Sequence, residues 1–530
     1  MIHERRDDAM NTESIEPEAV LTEEPAQETT SCKPVRQEQT IRFYMPLMEA
    51  FEPNGEIEVP IKEYPANDTG NARRFLDLFQ NGLRYCAAEK EWYCFHKTCW
   101  VKDTACIVPQ LAKLGLEYSY QAEAQYAAEQ GDYKKLPLIE KQRVKAGNMS
   151  TLQNCLNMAA LSVVISPDAF DADPYLFHAV NGHIDLRNYE VYLMHDHLKY
   201  FTKTAGAALD PSAFGTEPDC EPRCPRWIKF VTECAGGDME LYNYLNRAAG
   251  YSILTGDIRE QKIFCLSGEG RNGKSLFINT LAAIAGDYAS KIEASVLSVN
   301  RFGDKDSDMS KELYRIRGSR FVYSNEFGRN SILNETLAKT ITDGGVITCR
   351  TLFKESIAYK PTYTLWFSTN HMPNLQAMDE GIRRRIVVIP FRNHLTEEEI
   401  DRDLADKLLE EADAILYWLI QGYYRYTVHG LKPPAAVRET TAGYFAGQDL
   451  YQLFIEEHYV KDADGKVYAK TLYQNYQHWC AENGEKPVSN IRLGKEMQRL
   501  GIERKKDMFG VFYYLHEIKH DEIQDNMTII

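Results

Sequence analysis

The sequence predicts an α/β fold, an open-sheet core that binds phosphate, with an α+β region before it and a winged-helix unit after it. Three observations predict this. GEGRNGKS, Gly268–Ser275, fits G-x-x-x-x-G-K-[ST] and lies between an apolar run, Ile263–Leu266, and a segment with helical apolar spacing. In that segment Leu276, Phe277, Leu281 and Ile284 recur until Gly286 stops the helix. Further short apolar runs, Phe321–Ser324, Thr364–Ser368 and Ile386–Ile389, then read as core strands. Finally, the C-terminal segment reads helix, helix, hairpin.

Taken in order, residues 1–40 are acidic and rich in Pro, Thr and Glu, and read as a disordered tail. Residues 41–220 form the N-terminal α+β region. It opens on an extended stretch, 41–65. A helix from Ala72 to Gln80 follows, then short aromatic strands in LRYC, EWYCF and CWVKD. Residues 108–165 are mostly helical, and Leu176–Tyr192 alternates around Asn181-Gly182, a hairpin signal. Pro211–Pro225 reads as a linker. Residues 221–260 are expected as a helical collar or oligomerisation segment, 261–395 as the phosphate-binding core, and 396–445 as a helical extension. The last unit, 446–530, places a helix over Ala469–Asn483 and another from a capping Asn490 to Leu500. A hairpin of Ile502–Lys506 and Val511–Leu515 turns at Met508–Gly510.

Composition narrows the class. At 530 residues and 44% hydrophobic content the chain has material for several cores. It has no long apolar stretch and no signal-peptide core, so neither a membrane span nor membrane partners are expected. Twelve cysteines without a secretory signal point to reduced thiols in a cytoplasm. A net charge of −16 argues against coating DNA over the whole surface, and leaves room for a basic channel. Cys94, Cys99 and Cys106 cluster with His96, but their spacing fits ordinary half-buried thiols better than a zinc site. Cys220 and Cys224 have no second pair.

A strand, a glycine loop and a helix N-terminus make an anion site, because free N–H groups and the helix dipole converge there. Gly268, Glu269, Gly270, Arg271, Asn272 and Gly273 would wrap the phosphates of ATP. Lys274 would reach the β- and γ-phosphates, and the Ser275 hydroxyl would hold Mg²⁺. Hydrolysis also needs an acid. Glu326 stands at the end of a strand, where open sheets place ligand-contacting groups, and would polarise water or complete the metal shell. Asn370, at the tip of the next strand, suits a sensor of the γ-phosphate or lytic water. In GIRRRIVVIPF, Arg384 or Arg385 suits an arginine finger reaching a neighbouring subunit's γ-phosphate.

Two segments suit nucleic acid. Val346–Lys360 reads as a hairpin in which Arg350 and Lys354 would contact phosphates and Phe353 would stack on a base. A solvated hairpin with Phe353 packed inward is the competing reading, and local composition favours it. In the C-terminal unit Lys486, Arg492, Lys495, Arg499, Arg504, Lys505 and Lys506 outnumber Glu496 and Glu503. That excess suits duplex phosphates, and equally a protein partner.

Together these motifs resemble the superfamily 3 helicases, and most of all the helicase half of phage, plasmid and poxvirus-type primase-helicases. GEGRNGKS is similar to motif A, RFVYSNEF to motif B with Glu326 at its acidic position, and LWFSTNHMP to motif C with Asn370 as sensor. LNETLAKTITDGGVITCR is similar to the segment between motifs B and C, and GIRRRIVVIPF to the arginine-finger strand. NGHIDLRNYEVYLMHDHLKYFTK is similar to the region preceding the core in that family. The resemblance implies an AAA+-like P-loop core, ring hexamers on single-stranded or forked DNA, ATP hydrolysis at subunit interfaces, 3′ to 5′ unwinding and a separate primase or polymerase partner. It also implies that the Val346–Lys360 hairpin lines the ring's channel. Asn325 stands where many members carry a second acid, and no primase carboxylate set is evident, so primer synthesis is not carried over. Rival readings are an ATP-dependent origin-binding initiator, a duplex translocase that does not separate strands, and a small-molecule kinase. The motif C asparagine and the basic C-terminal unit weigh against the last.

Overall fold

The structure, a computed structural model, describes residues 39–45, 55–210, 223–268, 270–299, 306–325, 327, 331–349, 356–375, 379–393, 401–483 and 487–518. Its centre is a five-stranded sheet in the order Ala289–Lys291, Phe321–Asn325, Thr364–Thr369, Ile263–Ser267, Ile386–Pro390. Every pairing in it is parallel. Ile263–Ser267 is flanked on both sides, with Ile263 opposite Leu365 and Ile386, and Ser267 opposite Thr369 and Pro390. A strand covered on both faces must be apolar at consecutive positions, which is why IFCL carries no alternation. Parallel pairing also gathers the polar strand ends at one edge. Asn325 aligns with Ser368, and Ser267 with Thr369. The first strand in sequence lies between the fourth and fifth, so the sheet reverses its winding direction beside the tip of Ile263–Ser267.

The helix Lys274–Ala285 follows that tip and buries Phe277, Ile278, Leu281 and Ile284. Pro225–Cys234 and Met239–Leu254, from the expected collar, are packed into the same core through Trp227, Phe230, Tyr244 and Leu245. Met239–Leu254 crosses Ala412–His429 at close range. A Cβ on Gly250 would meet the Tyr423 nitrogen at 2.4 Å, and one on Gly422 the Asn246 carbonyl at 2.1 Å. Buried Asn246 donates from Nδ2 to the Trp418 carbonyl at 2.8 Å. Of the helical extension, Leu404–Leu409 and Ala412–His429 are seen, while residues 394–400 lie outside the described ones.

The N-terminal region has its own core. Leu83–Cys86, Glu91–His96, Cys99–Lys102 and Val164–Ile165 form one sheet, and Asp68–Phe79, Ile107–Glu129, Leu136–Ala146 and Met149–Ala160 are its helices. Thr40–Tyr44 pairs with Glu56–Pro60, so the extended stretch is a two-stranded ribbon. The hairpin signal is a three-stranded meander, Leu176–Ala179, Gly182–Asp185 and Glu190–Tyr192. Its Gly182 lies at φ +154°, and a Cβ there would strike the Tyr192 carbonyl at 2.0 Å. Cys94 faces the core, and burial pushes its thiol up to about 12. Among the described residues no group of three His, Cys, Asp or Glu is placed to hold a metal.

The C-terminal unit is a third cluster. Ala469–Glu482 and Asn490–Arg499 pack with the hairpin Arg504–Asp507 and Gly510–Tyr513, which also pairs with Val467–Tyr468. The second helix is capped by Ser489, not Asn490. The Ser489 hydroxyl accepts from the Arg492 nitrogen at 3.4 Å, and Asn490 is the first helical residue. No described helix is long and apolar enough to cross a membrane.

Candidate nucleotide-binding site

The loop after Ile263–Ser267 has the geometry its glycines imply. Gly273 adopts φ +84°, and a Cβ there would lie 2.9 Å from both the Cys234 sulfur and Phe230. A Cβ on Gly268 would meet Asn272 Nδ2 at 2.2 Å and the Phe391 carbonyl at 2.6 Å. Only glycine lets the chain pass at both points. Arg271 also has positive φ, at +64°. Gly270 has open space around it, and Glu269 lies outside the described residues.

Lys274 is buried at 5% exposure, and its ammonium is the hub of the site. It donates to the Gly268 carbonyl at 2.6 Å, to Asn272 Oδ1 at 2.9 Å and to Asn370 Oδ1 at 3.0 Å. The loop lysine and the expected sensor asparagine are thus joined directly. Asn272 is buried as well, and its Nδ2 has no hydrogen-bond partner among the described residues. A buried amide N–H without an acceptor costs on the order of 1–3 kcal/mol, and a phosphate oxygen would satisfy it. The glycine cradle, the buried ammonium and this orphaned donor fit a polyphosphate. Ser275 is exposed at the first turn of its helix, as a metal-binding hydroxyl requires.

Other elements wall the loop. The Cys234 thiol reaches the Asn272 carbonyl at 3.6 Å, and the Arg392 nitrogen donates to the Cys234 carbonyl at 3.0 Å. Arg392 follows the strand Ile386–Pro390 at the loop's end of the sheet and faces Asp238 at 3.5 Å. Sequence reading missed Asn272 as a side-chain participant, and Cys234 and Arg392 altogether. Only the adjacency of Asn272 to Lys274 in GRNGKS hinted at the first.

Glu326 lies outside the described residues, as do Arg350, Phe353 and Lys354. The strand Phe321–Asn325, which precedes Glu326 in sequence, ends at the same sheet edge as Gly268 and Asn370. Ile347–Cys349 pairs antiparallel with Ile357–Tyr359, so two strands of a hairpin flank the expected DNA-contacting tip.

The arginines separate sharply. Arg385 is 2% exposed. Its Nε donates to Thr342 Oγ1 at 2.9 Å, and its guanidinium also bonds the Asp343 carboxylate and the Gly381 carbonyl. It cannot reach a neighbouring molecule, and the finger expectation is corrected for this residue. Arg384 is exposed, with one 3.3 Å bond to Gln261. It sits at the start of the strands, opposite this chain's own phosphate loop. The strand between them, Ile263–Ser267, runs about 13 Å, beyond the reach of an arginine side chain.

Arg499 is exposed, yet its guanidinium meets buried Asp449 at 2.6 Å and Glu496 at 2.6 Å, so its charge is shared with two carboxylates and it fastens the C-terminal unit. Lys505 and Lys506 stay exposed on the hairpin.

Comparison with known proteins agrees with the motif reading. The "D5 N terminal like" family model matches residues 72–236, and a family of unknown function (DUF5906) matches 266–385. A protein of Acanthamoeba polyphaga mimivirus, named "Putative helicase", is 27% identical over 309 residues, covering 53% of this chain and 32% of that one. A Sputnik virophage "Putative helicase" is 27% identical over 192 residues, 34% of this chain and 25% of its own. An African swine fever virus "Putative primase" is 23% identical over 273 residues, 47% and 28% respectively. The matched region therefore spans a third or less of each of these relatives. Among solved structures, the apo NrS-1 C-terminal region aligns at 13% identity with a TM-score of 0.45, covering 85% of this chain and 99% of that one. By its family and sequence matches the chain is similar, over part of its length, to viral proteins named as helicases and primases.

Proposed function

We propose that the protein is an ATP-dependent replicative DNA helicase of a phage or mobile element. Protomers assemble into a ring, a hexamer by family resemblance, on single-stranded DNA at a fork. ATP is bound between neighbouring protomers, with an AAA+-like division of labour. One protomer supplies Gly268–Ser275, Glu326 and Asn370, and the next supplies Arg384. The observation that carries this reading is the Lys274–Asn370 bond at one sheet edge, set against exposed Arg384 at the other.

In this reading Lys274 neutralises the β- and γ-phosphates while the loop amides and Asn272 orient them. Its bond to Asn370 lets the tip of Thr364–Thr369 register whether the γ-phosphate is present. Ser275 and Glu326 would hold Mg²⁺, which supplies Lewis-acid charge neutralisation when bound. Glu326 would orient and polarise the attacking water. Arg384 approaches from outside and stabilises the charge that develops on the transferred group. Arg350, Phe353 and Lys354, which lie in sequence between the paired strands Ile347–Cys349 and Ile357–Tyr359, would grip the strand, and Lys505 and Lys506 on the winged-helix-like unit would hold duplex phosphates.

Strand displacement from a forked substrate with ATP tests this, alongside mass measurement with a nonhydrolysable analogue and a short oligonucleotide. Displacement by an ATP-dependent oligomer is expected. Hydrolysis stimulated by duplex DNA without displacement would replace the reading with translocation, and assembly without turnover would replace it with an initiator.

A further inference from the structure

The hairpin Arg504–Asp507 and Gly510–Tyr513 closes with the two residues Met508 and Phe509, since Asp507 pairs with Gly510. Met508 is 89% exposed and Phe509 77%. A protein that puts two large apolar side chains at a hairpin tip usually hides them against its own surface, and this one does not. Nor is the tip loose. Asp507 Oδ1 accepts from the Phe509 nitrogen at 2.8 Å and from the Gly510 nitrogen at 3.1 Å. Its other oxygen is held by Lys466 and by the Tyr468 hydroxyl at 3.2 Å. Lys466 in turn lies over the Phe512 ring at 4.5 Å. One carboxylate thus fixes both turn amides and ties the turn to the strand Val467–Tyr468.

The tip's flanks are basic. Arg504, Lys505 and Lys506 are all exposed on the strand that leads to it, and Arg492 and Lys495 are exposed on the helix Asn490–Arg499. This concentration stands out in a chain of net charge −16. A rigid apolar tip at the end of a cationic strand matches one partner chemistry best, a base pair whose phosphates lie alongside. Insertion within a continuous duplex requires unstacking a step. The last pair at a single-strand/double-strand junction already offers an open face, and a two-residue turn is narrow enough to lie on it.

We propose that Phe509, with Met508 beside it, stacks on the terminal base pair of a DNA junction while Lys505 and Lys506 hold the adjoining phosphates. This deepens the helicase reading and rests on it for the identity of the nucleic acid. The tip is a wedge that holds the junction open.

The test uses the full chain without ATP, so that binding is read apart from hydrolysis. Forked DNA carrying 2-aminopurine at the junction is titrated with wild type, Phe509→Ala, Phe509→Trp and the double variant Lys505→Gln/Lys506→Gln. Phe509→Ala is expected to bind forks roughly tenfold more weakly, to keep the salt dependence of binding, and to lose the 2-aminopurine response. Phe509→Trp restores both. The lysine variant lowers the salt slope by about 0.9 for each phosphate contact removed. The tip is fully exposed, and far-ultraviolet circular dichroism confirms that each variant is folded. If Phe509→Ala matches wild type in affinity and 2-aminopurine signal, the wedge is wrong, whether the tip is idle or serves a protein partner. A wild-type chain that ignores forked DNA overturns this proposal and the helicase reading together. A wild type that binds forks, matched by Phe509→Ala, overturns only the wedge.

Discussion

The two edges of the central sheet treat their charged groups in opposite ways. At the strand C-termini a buried lysine is satisfied by neutral oxygens, and a buried amide, Asn272 Nδ2, has no hydrogen-bond partner among the described residues. At the strand N-termini arginines are enclosed and satisfied. Arg385 bonds Asp343 and Thr342. Arg320, 4% exposed, bonds the Leu254 and Leu176 carbonyls and lies over the Tyr288 ring at 4.7 Å. Arg317 meets Glu89 of the N-terminal region at 2.9 Å. Arg384 is the exposed member of this group, and its guanidinium makes a 3.3 Å bond to Gln261. One edge is built to receive charge and the other to lock neighbouring segments together, with one cation projecting outward. That difference is what the proposed function builds on: it assigns the two halves of one site to opposite edges, to be joined by a second copy.

The strongest way to break this comparison is at the receiving edge. Lys274→Ala removes the cation that joins the loop to Asn370, and ATPase activity should fall below detection in a phosphate-release assay. At the projecting edge, Arg384→Ala should lower kcat by about 10³-fold or more while nucleotide affinity, read by equilibrium binding, stays near wild type. Mixing the Lys274→Ala and Arg384→Ala proteins sharpens the point. Partial recovery of turnover is expected, because some interfaces then pair an intact loop with an intact arginine. Normal hydrolysis by Arg384→Ala alone would remove the shared site.

Arg385→Ala probes the locking role of the residue next door. It removes the cation that Asp343 and the Gly381 carbonyl hold, and should destabilise the fold by roughly 1–3 kcal/mol in urea unfolding. A variant of normal stability would contradict the enclosed environment described here.

The smallest effect concerns the tie between the N-terminal region and this edge. Burial alone would raise the Glu89 carboxyl, but hydrogen bonds from Lys102, Arg317 and Tyr93 outweigh it and lower it from 4.5 to about 2. A carboxylate depressed in the folded state contributes stability that is complete above its unfolded value near 4.5. That contribution fades as pH falls toward about 2. Glu89→Gln should therefore cost up to about 3 kcal/mol near neutrality, and the gap to wild type should close in acid, as followed by urea midpoints. A gap independent of pH would mean that the charge is not what joins the two regions.

How much of this was legible in the sequence depends on the range of each interaction. The phosphate loop was readable because its glycines answer local steric demands, φ +84° at Gly273 and the close Phe391 carbonyl at Gly268. The strands around it were readable because parallel burial leaves unbroken apolar runs such as TLWFST. Asn370 could be named from its place at a strand tip, but not its bond to Lys274, which spans 96 positions. Arg384 and Arg385 could not be told apart, since consecutive residues differ only in the side to which the backbone turns them. Arg499 looked like a DNA contact because nothing local announces Asp449, fifty positions away.

By itself the sequence determined the phosphate loop, the apolar strands that support it and the basic hairpin near the C-terminus. These follow from backbone sterics, hydrophobic period and residue charge, all of which act over a few neighbouring residues. Only the tertiary structure decided which cations are neutralised and which are presented. A buried charge is settled by the carboxylate or carbonyl that folding brings to it, and here that partner comes from a distant segment of the chain.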